Sequence, residues 1–87
     1  MVMTLHPRTY NDVFHVGHYF REGSAVLMDL TRLTEDDATP LVDFAAGLVI
    51  GRGGAMERVT AGVFLLLPPE EAARRARPAA VPGGFGR

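Results

Sequence analysis

The sequence predicts a two-layer α/β sandwich, with two helices packed on a mixed sheet of four to five strands. Apolar residues recur at helical spacing in two segments, while shorter segments between and after them alternate or are continuously apolar. Glycine and proline separate these segments. The resulting element order is β-α-β-α-β-β-β, and 87 residues leave room for a single core.

The N-terminal half contains the first two strands and the first helix. Residues 2–6 form a strand that ends at Pro7, and Thr9 caps a helix over roughly residues 10–22. Residues 24–30 form a strand that is apolar on both faces, which indicates burial on both. Because two helices cover only one face of a sheet, the other face requires a C-terminal helix or a second subunit.

The second helix is predicted to follow Thr34, whose side chain caps a first turn of three acidic residues. Its inward stripe runs from Ala38 to Leu48. Pro40 lies inside this segment and removes a backbone donor. The helix therefore either kinks near Pro40 or begins late, with Thr39 as its cap.

From Gly47 the periodicity changes to that of strands. We predict three strands, with a hairpin turn after the first and a second turn before the last. The strands are residues 48–50, 56–59 and 63–67, the hairpin turn is Gly51-Arg52-Gly53-Gly54, with Gly53 and Gly54 as its structural residues, and the second turn is Thr60-Ala61-Gly62.

The C-terminal boundary is set by Pro68 and Pro69, which end the sheet. Residues 1–68 are therefore the α/β domain, and residues 69–77 are a possible short helix with Glu70–Arg74 and Glu71–Arg75 pairs at favourable spacing. Residues 78–87 are rich in Pro, Gly and Ala and are expected to be a disordered tail.

Composition excludes several classes of function. The net charge of −1 argues against nucleic-acid binding, and the absence of cysteine excludes disulfides and thiolate chemistry. No apolar run approaches the ~18 residues of a membrane span, and the N-terminus lacks a signal peptide, so a cytoplasmic location is expected. Ser24 is the only serine, and no His and acid arrangement supports it as a nucleophile. We expect no enzymatic activity, no catalytic residue and no cofactor.

His15, His18 and Glu22 share one face of the first helix, within about 60° of one another, as a zinc-binding set would. This face lies opposite the apolar stripe, so the simpler interpretation is a solvated outer face. We therefore predict no metal, and a metal or small-ligand binding module remains an alternative.

Apolar residues outside the inward stripes indicate a protein-binding surface instead. Phe14 lies toward the polar side of the first helix, and Pro40, Phe44 and Gly47 cluster about 100° from the inward stripe of the second. A large aromatic beside a small glycine and a rigid proline can form a knob and pocket. We therefore expect a homodimer that acts through protein–protein contact.

Several groups of residues occur in a fixed order between about residues 4 and 68. They are Pro7-Arg8-x-Tyr10, Ala25-Val26-x-x-x-Leu30, Val42-Asp43-Phe44-x-x-Gly47, Gly53-Gly54, Arg58 and Phe64-Leu65-x-x-Pro68. As a set they resemble the conserved domain of the SepF family of bacterial cell-division proteins. No single piece would carry that resemblance.

The resemblance implies a dimer that binds the C-terminal tail of FtsZ, the tubulin-like division protein, and is recruited to the septum. Membrane contact in the family comes from an amphipathic helix ahead of the domain, so we expect no direct membrane anchor in this chain. The resemblance also maps the Val42-Asp43-Phe44 segment to the region of the dimer and FtsZ-binding surface. The candidate partner-binding or dimer residues are Phe44, Asp43, Pro40, Leu41, Gly47 and Phe14.

Two departures from the family pattern concern charge. Thr39-Pro40-Leu41 stands where basic residues are usual, and Asp29 stands where Asn is usual. FtsZ tails tend to be acidic and apolar, so this loss of positive charge lowers complementarity. An alternative function is therefore a regulatory SepF paralogue that binds SepF and modulates its assembly without anchoring FtsZ.

Overall fold

The computed structural model describes residues 1–76 and contains three helices packed on one mixed four-stranded sheet. The predicted α/β class is confirmed. The strands are β1 (Val2–Leu5), β2 (Ala25–Asp29), β3 (Ala55–Thr60) and β4 (Val63–Leu67). The helices are α1 (Val13–Arg21), preceded by a 3-10 turn at Tyr10–Asp12, then α2 (Glu35–Arg52) and α3 (Pro69–Ala76).

The sheet has the strand order β1-β2-β4-β3, so β2 and β4 are central. β1 pairs with β2 in parallel, whereas β2–β4 and β3–β4 are antiparallel. Both α1 and α2 pack on one face of this sheet, which we call the inner face. The core lies between them and consists mainly of Val13, Val16, Phe20, Val26, Met28, Leu30, Leu41, Ala45, Val49 and Leu66.

The third predicted strand, residues 48–50, is wrong. These residues belong to the last two turns of α2, because Val49 continues the buried stripe that Leu41 and Ala45 begin. Consequently Gly51–Gly54 is not a hairpin turn but a helix end. Gly53 adopts the left-handed conformation at φ 77°, and its N–H bonds the carbonyl of Ile50.

Gly54 is required by close packing at this same helix end. Its N–H donates to the carbonyl of Val49, and a Cβ at this position would collide with the carbonyl oxygen of Leu67 and crowd the ring of Phe20. The end of α2 is therefore held against the end of β4, and this contact sets where β3 begins.

The start of α2 agrees with the sequence, whereas the predicted start of the first helix is a 3-10 turn in which the Thr9 side chain makes no capping hydrogen bond. The carboxylate of Asp12 accepts from the backbone N–H of Arg8 at 2.8 Å and of Thr9 at 3.2 Å. Thr34 caps α2 by accepting from the N–H of Asp37 at 3.2 Å. The helix therefore begins ahead of Pro40 and runs through it, rather than starting late.

Helix α3 lies on the outer face of the sheet, where a covering element was expected. Arg75 reaches Glu57 of β3 at 3.3 Å, instead of pairing with Glu71 as the spacing suggested. Glu71 pairs with Arg74 at 3.6 Å. Ala25, on the outer face of β2, is buried. The expected tail at residues 78–87 lies outside the described residues.

Candidate functional site

Helix α2 presents two different flanks beside its buried stripe. Successive residues of an α-helix are about 100° apart, so neighbours in sequence face different surroundings. Asp43 lines a groove against the β3–β4 hairpin, whereas Phe44 packs toward α1. The structure thus divides the predicted surface into two parts.

The first part, the aromatic flank, comprises Tyr10, Phe14, Phe44 and Gly47. The rings of Tyr10 and Phe44 meet edge to face, with centroids 6.4 Å apart and an interplanar angle of 82°. Phe44 is half-buried, and its ring tip would lie 3.7 Å from a Cβ on Gly17. Phe14 follows Tyr10 by one helical turn and is 73% exposed. An exposed aromatic beside a packed pair is typical of a contact surface.

The remaining predicted surface residues divide between solvent and core. Pro40 is exposed and lines a shallow cleft with Tyr10 and Asp36, while Gly47 opens to solvent. Leu41 is corrected from surface to core: it is only 2% exposed and belongs to the buried stripe of α2. Its side chain therefore contributes mainly to the core.

The second part, the hairpin groove, is an open cavity of about 460 Å³ between the first half of α2 and the β3–β4 hairpin. Edge strand β3 extends beyond the area that α2 covers, which leaves this corner of the inner face open. Its apolar lining comes from Leu30, Leu33, Ala38, Val42 and Phe64. Its polar lining includes Thr31, Glu35, Thr39, Asp43 and Arg58.

Charge in the groove is divided between its two walls. On the hairpin wall the guanidinium carbon of Arg58 lies 5.7 Å from the centroid of the Phe64 ring, a cation–π arrangement. On the helix wall stand the carboxylates of Glu35 and Asp43. Within residues 1–76, no carboxylate forms a salt bridge with Arg58.

The sequence interpretation assigned Arg58 to the family pattern but gave it no role. The signal was present, since Arg58 and Phe64 lie on either side of the turn at Ala61–Gly62 and are cross-strand partners in the sheet register. Cross-strand partners on one face lie close enough for a cation to stack on an aromatic ring. What the sequence did not show is that α2 leaves this pair uncovered.

Asp29, the second departure in charge, is engaged locally at the end of β2. Its carboxylate accepts from the hydroxyl of Thr31 at 2.6 Å and from the N–H of the same residue at 2.9 Å. These hydrogen bonds hold the pKa of Asp29 below its usual value. The ring of His6 lies 3.5 Å away. Asp29 is therefore a turn residue and does not line the hairpin groove.

The metal alternative finds no site in the described part of the chain. Among residues 1–76, no three His, Asp or Glu side chains come close enough together to hold a metal ion. His18 instead packs edge to face against Tyr19, with centroids 5.0 Å apart. Over the same residues, no helix combines the length and hydropathy needed to cross a membrane.

Comparison with known proteins identifies the class to which this fold and surface belong. The family model described as cell division protein SepF matches residues 2–71. The chain therefore belongs to the SepF family of cell-division proteins. It is 58% identical over 67 residues to cell division protein SepF 2 of Streptomyces coelicolor, covering 77% of this chain and 32% of that protein.

Two further similarities extend the comparison. The chain is 49% identical over 90 aligned positions to cell division protein SepF of Cutibacterium acnes, covering 97% of this chain and 49% of the relative. The chain thus spans between about a third and a half of the length of these relatives. A SepF-like protein from Pyrococcus furiosus has the same fold, with a TM-score of 0.70 at 19% identity over 80% of this chain and 88% of that one.

Proposed function

We propose that this chain acts in septum formation by protein–protein contact, as a dimer that binds the C-terminal tail of FtsZ. Membership of the SepF family supports a role in cell division. The two flanks of α2 suit two kinds of contact. The aromatic flank would bind a second copy of the chain, and the hairpin groove would bind a peptide. This proposed role requires no catalysis.

The observation that carries the proposal is the hairpin groove itself. A groove of about 460 Å³ has room for a few side chains of an extended peptide, and its floor is apolar. The family resemblance implies an FtsZ tail that is acidic and apolar. Leu33, Val42 and Phe64 would bury the apolar side chains, and Arg58 would meet an acidic one.

A calorimetric titration with the synthetic C-terminal tail peptide of FtsZ from the same organism tests this proposal. We expect saturable binding, with one peptide per protomer. A matched control peptide of the same composition in scrambled order should bind much more weakly, because the floor takes apolar side chains at fixed spacing. Equal binding of the two peptides, or no binding of either, contradicts the proposal.

A second candidate is a regulatory paralogue that binds SepF and modulates its assembly. The observation that favours it is the lack of basic residues on the helix wall: Thr39 lines the groove where the family pattern expects positive charge, and Pro40 is exposed next to it. A parallel titration against full-length SepF distinguishes the candidates. Strong binding to full-length SepF, together with no binding to the tail peptide, favours the regulatory paralogue.

Replacing Thr39→Lys together with Pro40→Arg tests whether charge separates the two functions. If it does, the double variant gains affinity for the acidic tail at low salt and loses that gain as salt screens the contact. An unchanged affinity at low salt means that the missing charge is not the cause.

A further inference from the structure

Charge in the hairpin groove has an order, because its cation and its anions stand on opposite walls. Arg58 lies over Phe64 on the hairpin wall, while Glu35 and Asp43 stand on the helix wall. The floor between them is apolar. A peptide lying across this groove would therefore meet a positive wall, an apolar floor and a negative wall in turn.

We propose that the groove selects a charge-ordered peptide, with an acidic residue against Arg58, apolar residues on the floor and a basic residue against Glu35 and Asp43. This rests on the proposed function, since it assigns a chemistry and an orientation to the tail that the groove would bind. It differs from simple recognition of acidic peptides, because a uniformly acidic segment would meet two like charges on the helix wall.

Arg58 is well suited to select the acidic end. Its guanidinium stacks on Phe64 and forms no salt bridge within the described residues. Stacking restricts the side chain before the peptide arrives, so less conformational entropy is lost on binding. A planar guanidinium can also donate two hydrogen bonds to one carboxylate. On the other wall, Asp43 would act by rejecting a second acid and attracting a base.

A charge-exchange titration tests this order with the intact chain and the FtsZ tail peptide. Arg58→Gln should weaken binding of the natural peptide by about five- to tenfold, and Arg58→Lys should recover part of the loss. When the acidic residues of the peptide are replaced by their amides, Arg58→Gln should change the binding affinity little. Asp43→Asn should weaken binding of a tail peptide that carries a basic residue, and should strengthen binding of the same peptide with that residue replaced by Glu.

Arg52→Gln is the matched control. It removes the same charge from an exposed position at the far end of α2, outside the groove, and should leave every affinity within about twofold. A loss with Arg58→Gln that is equal for the acidic and amide peptides overturns the charge order while leaving tail binding intact. Failure of the unaltered chain to bind any tail peptide overturns the proposed function, and the charge order with it.

Discussion

The aromatic flank and the hairpin groove lie on either side of one helix, yet their packing differs. On the aromatic flank, Phe44 is held by Tyr10 and Gly17, so part of its surface already stabilises the monomer. In the groove, Asp43 and Arg58 are exposed, and the guanidinium of Arg58 lies over the ring of Phe64. Side chains of the aromatic flank are therefore coupled to folding, whereas the exposed charged side chains of the groove are largely free of it.

This difference has a consequence for how substitutions should be interpreted. A change on the aromatic flank alters stability and association together, so a loss of binding there does not by itself identify a contact. A change to the exposed charged residues of the groove, Asp43 and Arg58, should alter affinity at nearly constant stability. Measuring both quantities on matched variants separates the two surfaces.

The largest expected effect comes from the residue between the two flanks. Leu41→Ala should lower the free energy of unfolding by about 3 kcal/mol, because it leaves a cavity in the core. Phe44→Ala should cost about 2 kcal/mol, since its ring is half-buried and its edge-to-face contact with Tyr10 is lost. Arg58→Gln should cost less than about 0.5 kcal/mol. Chemical denaturation measures all three.

The ranking of these three losses in free energy of unfolding tests the contrast between the two flanks. If Phe44→Ala is as mild as Arg58→Gln, then Phe44 does not contribute to the fold and the contrast between the flanks is wrong. If it costs as much as Leu41→Ala, Phe44 is a core residue and does not serve as a contact anchor. An intermediate value with retained folding allows the same variant to be used in association measurements.

A smaller effect on stability, but a large one on mass, is expected at Phe14. Phe14→Asp places a charge on the exposed part of the aromatic flank and should convert a dimer of about twice 9.4 kDa into a monomer. Light scattering at micromolar concentration measures the mass. Val59→Asp, which also replaces an exposed apolar residue but lies on edge strand β3, should leave the dimer intact. A monomeric parent protein, or loss of the dimer with Val59→Asp as well, contradicts the assignment.

Local signals in the sequence were sufficient for most of the fold. Thr9, Thr34 and Gly23 lie where helix ends were predicted, and the strand at residues 63–67 was placed correctly. The segment after Gly47 failed for a physical reason. Leu48-Val49-Ile50 is a short apolar run with two β-branched residues, and such a run fits a strand or a helix until its packing partners are known. The buried stripe of α2 settled it as helix.

The candidate site was only partly predictable for a related reason. Helical spacing placed Phe14, Phe44 and Gly47 off the buried stripe, as the structure has them. Spacing could not show that Asp43 and Phe44 serve different surfaces, because that depends on what stands beside each flank: α1 on one and the β3–β4 hairpin on the other. The position of Arg58 in the groove follows from the strand order β2-β4-β3, which the sequence did not establish.

The smallest expected effect is the acid sensitivity of the turn that supports Tyr10 on the aromatic flank. Hydrogen bonds from the backbone N–H groups of Arg8 and Thr9 hold the pKa of Asp12 below its usual value. A carboxyl group with a lowered pKa stabilises the folded state above its unfolded pKa of about 3.9, and that contribution is lost as pH falls through the folded pKa. Asp12→Asn should therefore be less stable than the parent above about pH 5, and the difference should narrow progressively as pH falls below about 4.

Thermal melts between about pH 6 and pH 2.5 measure this difference. Asp29→Asn is the matched control, because the pKa of Asp29 is also lowered, by Thr31, but at the end of β2, away from the aromatic flank. Both variants should lose part of the acid sensitivity of the parent. Only Asp12→Asn should also weaken the dimer, since Asp12 ends the turn that carries Tyr10 against Phe44. A constant gap between the Asp12→Asn and parent melting curves down to pH 2.5 would mean that Asp12 titrates alike in the folded and unfolded states. Equal weakening of the dimer by both variants would mean that this turn does not position the aromatic flank.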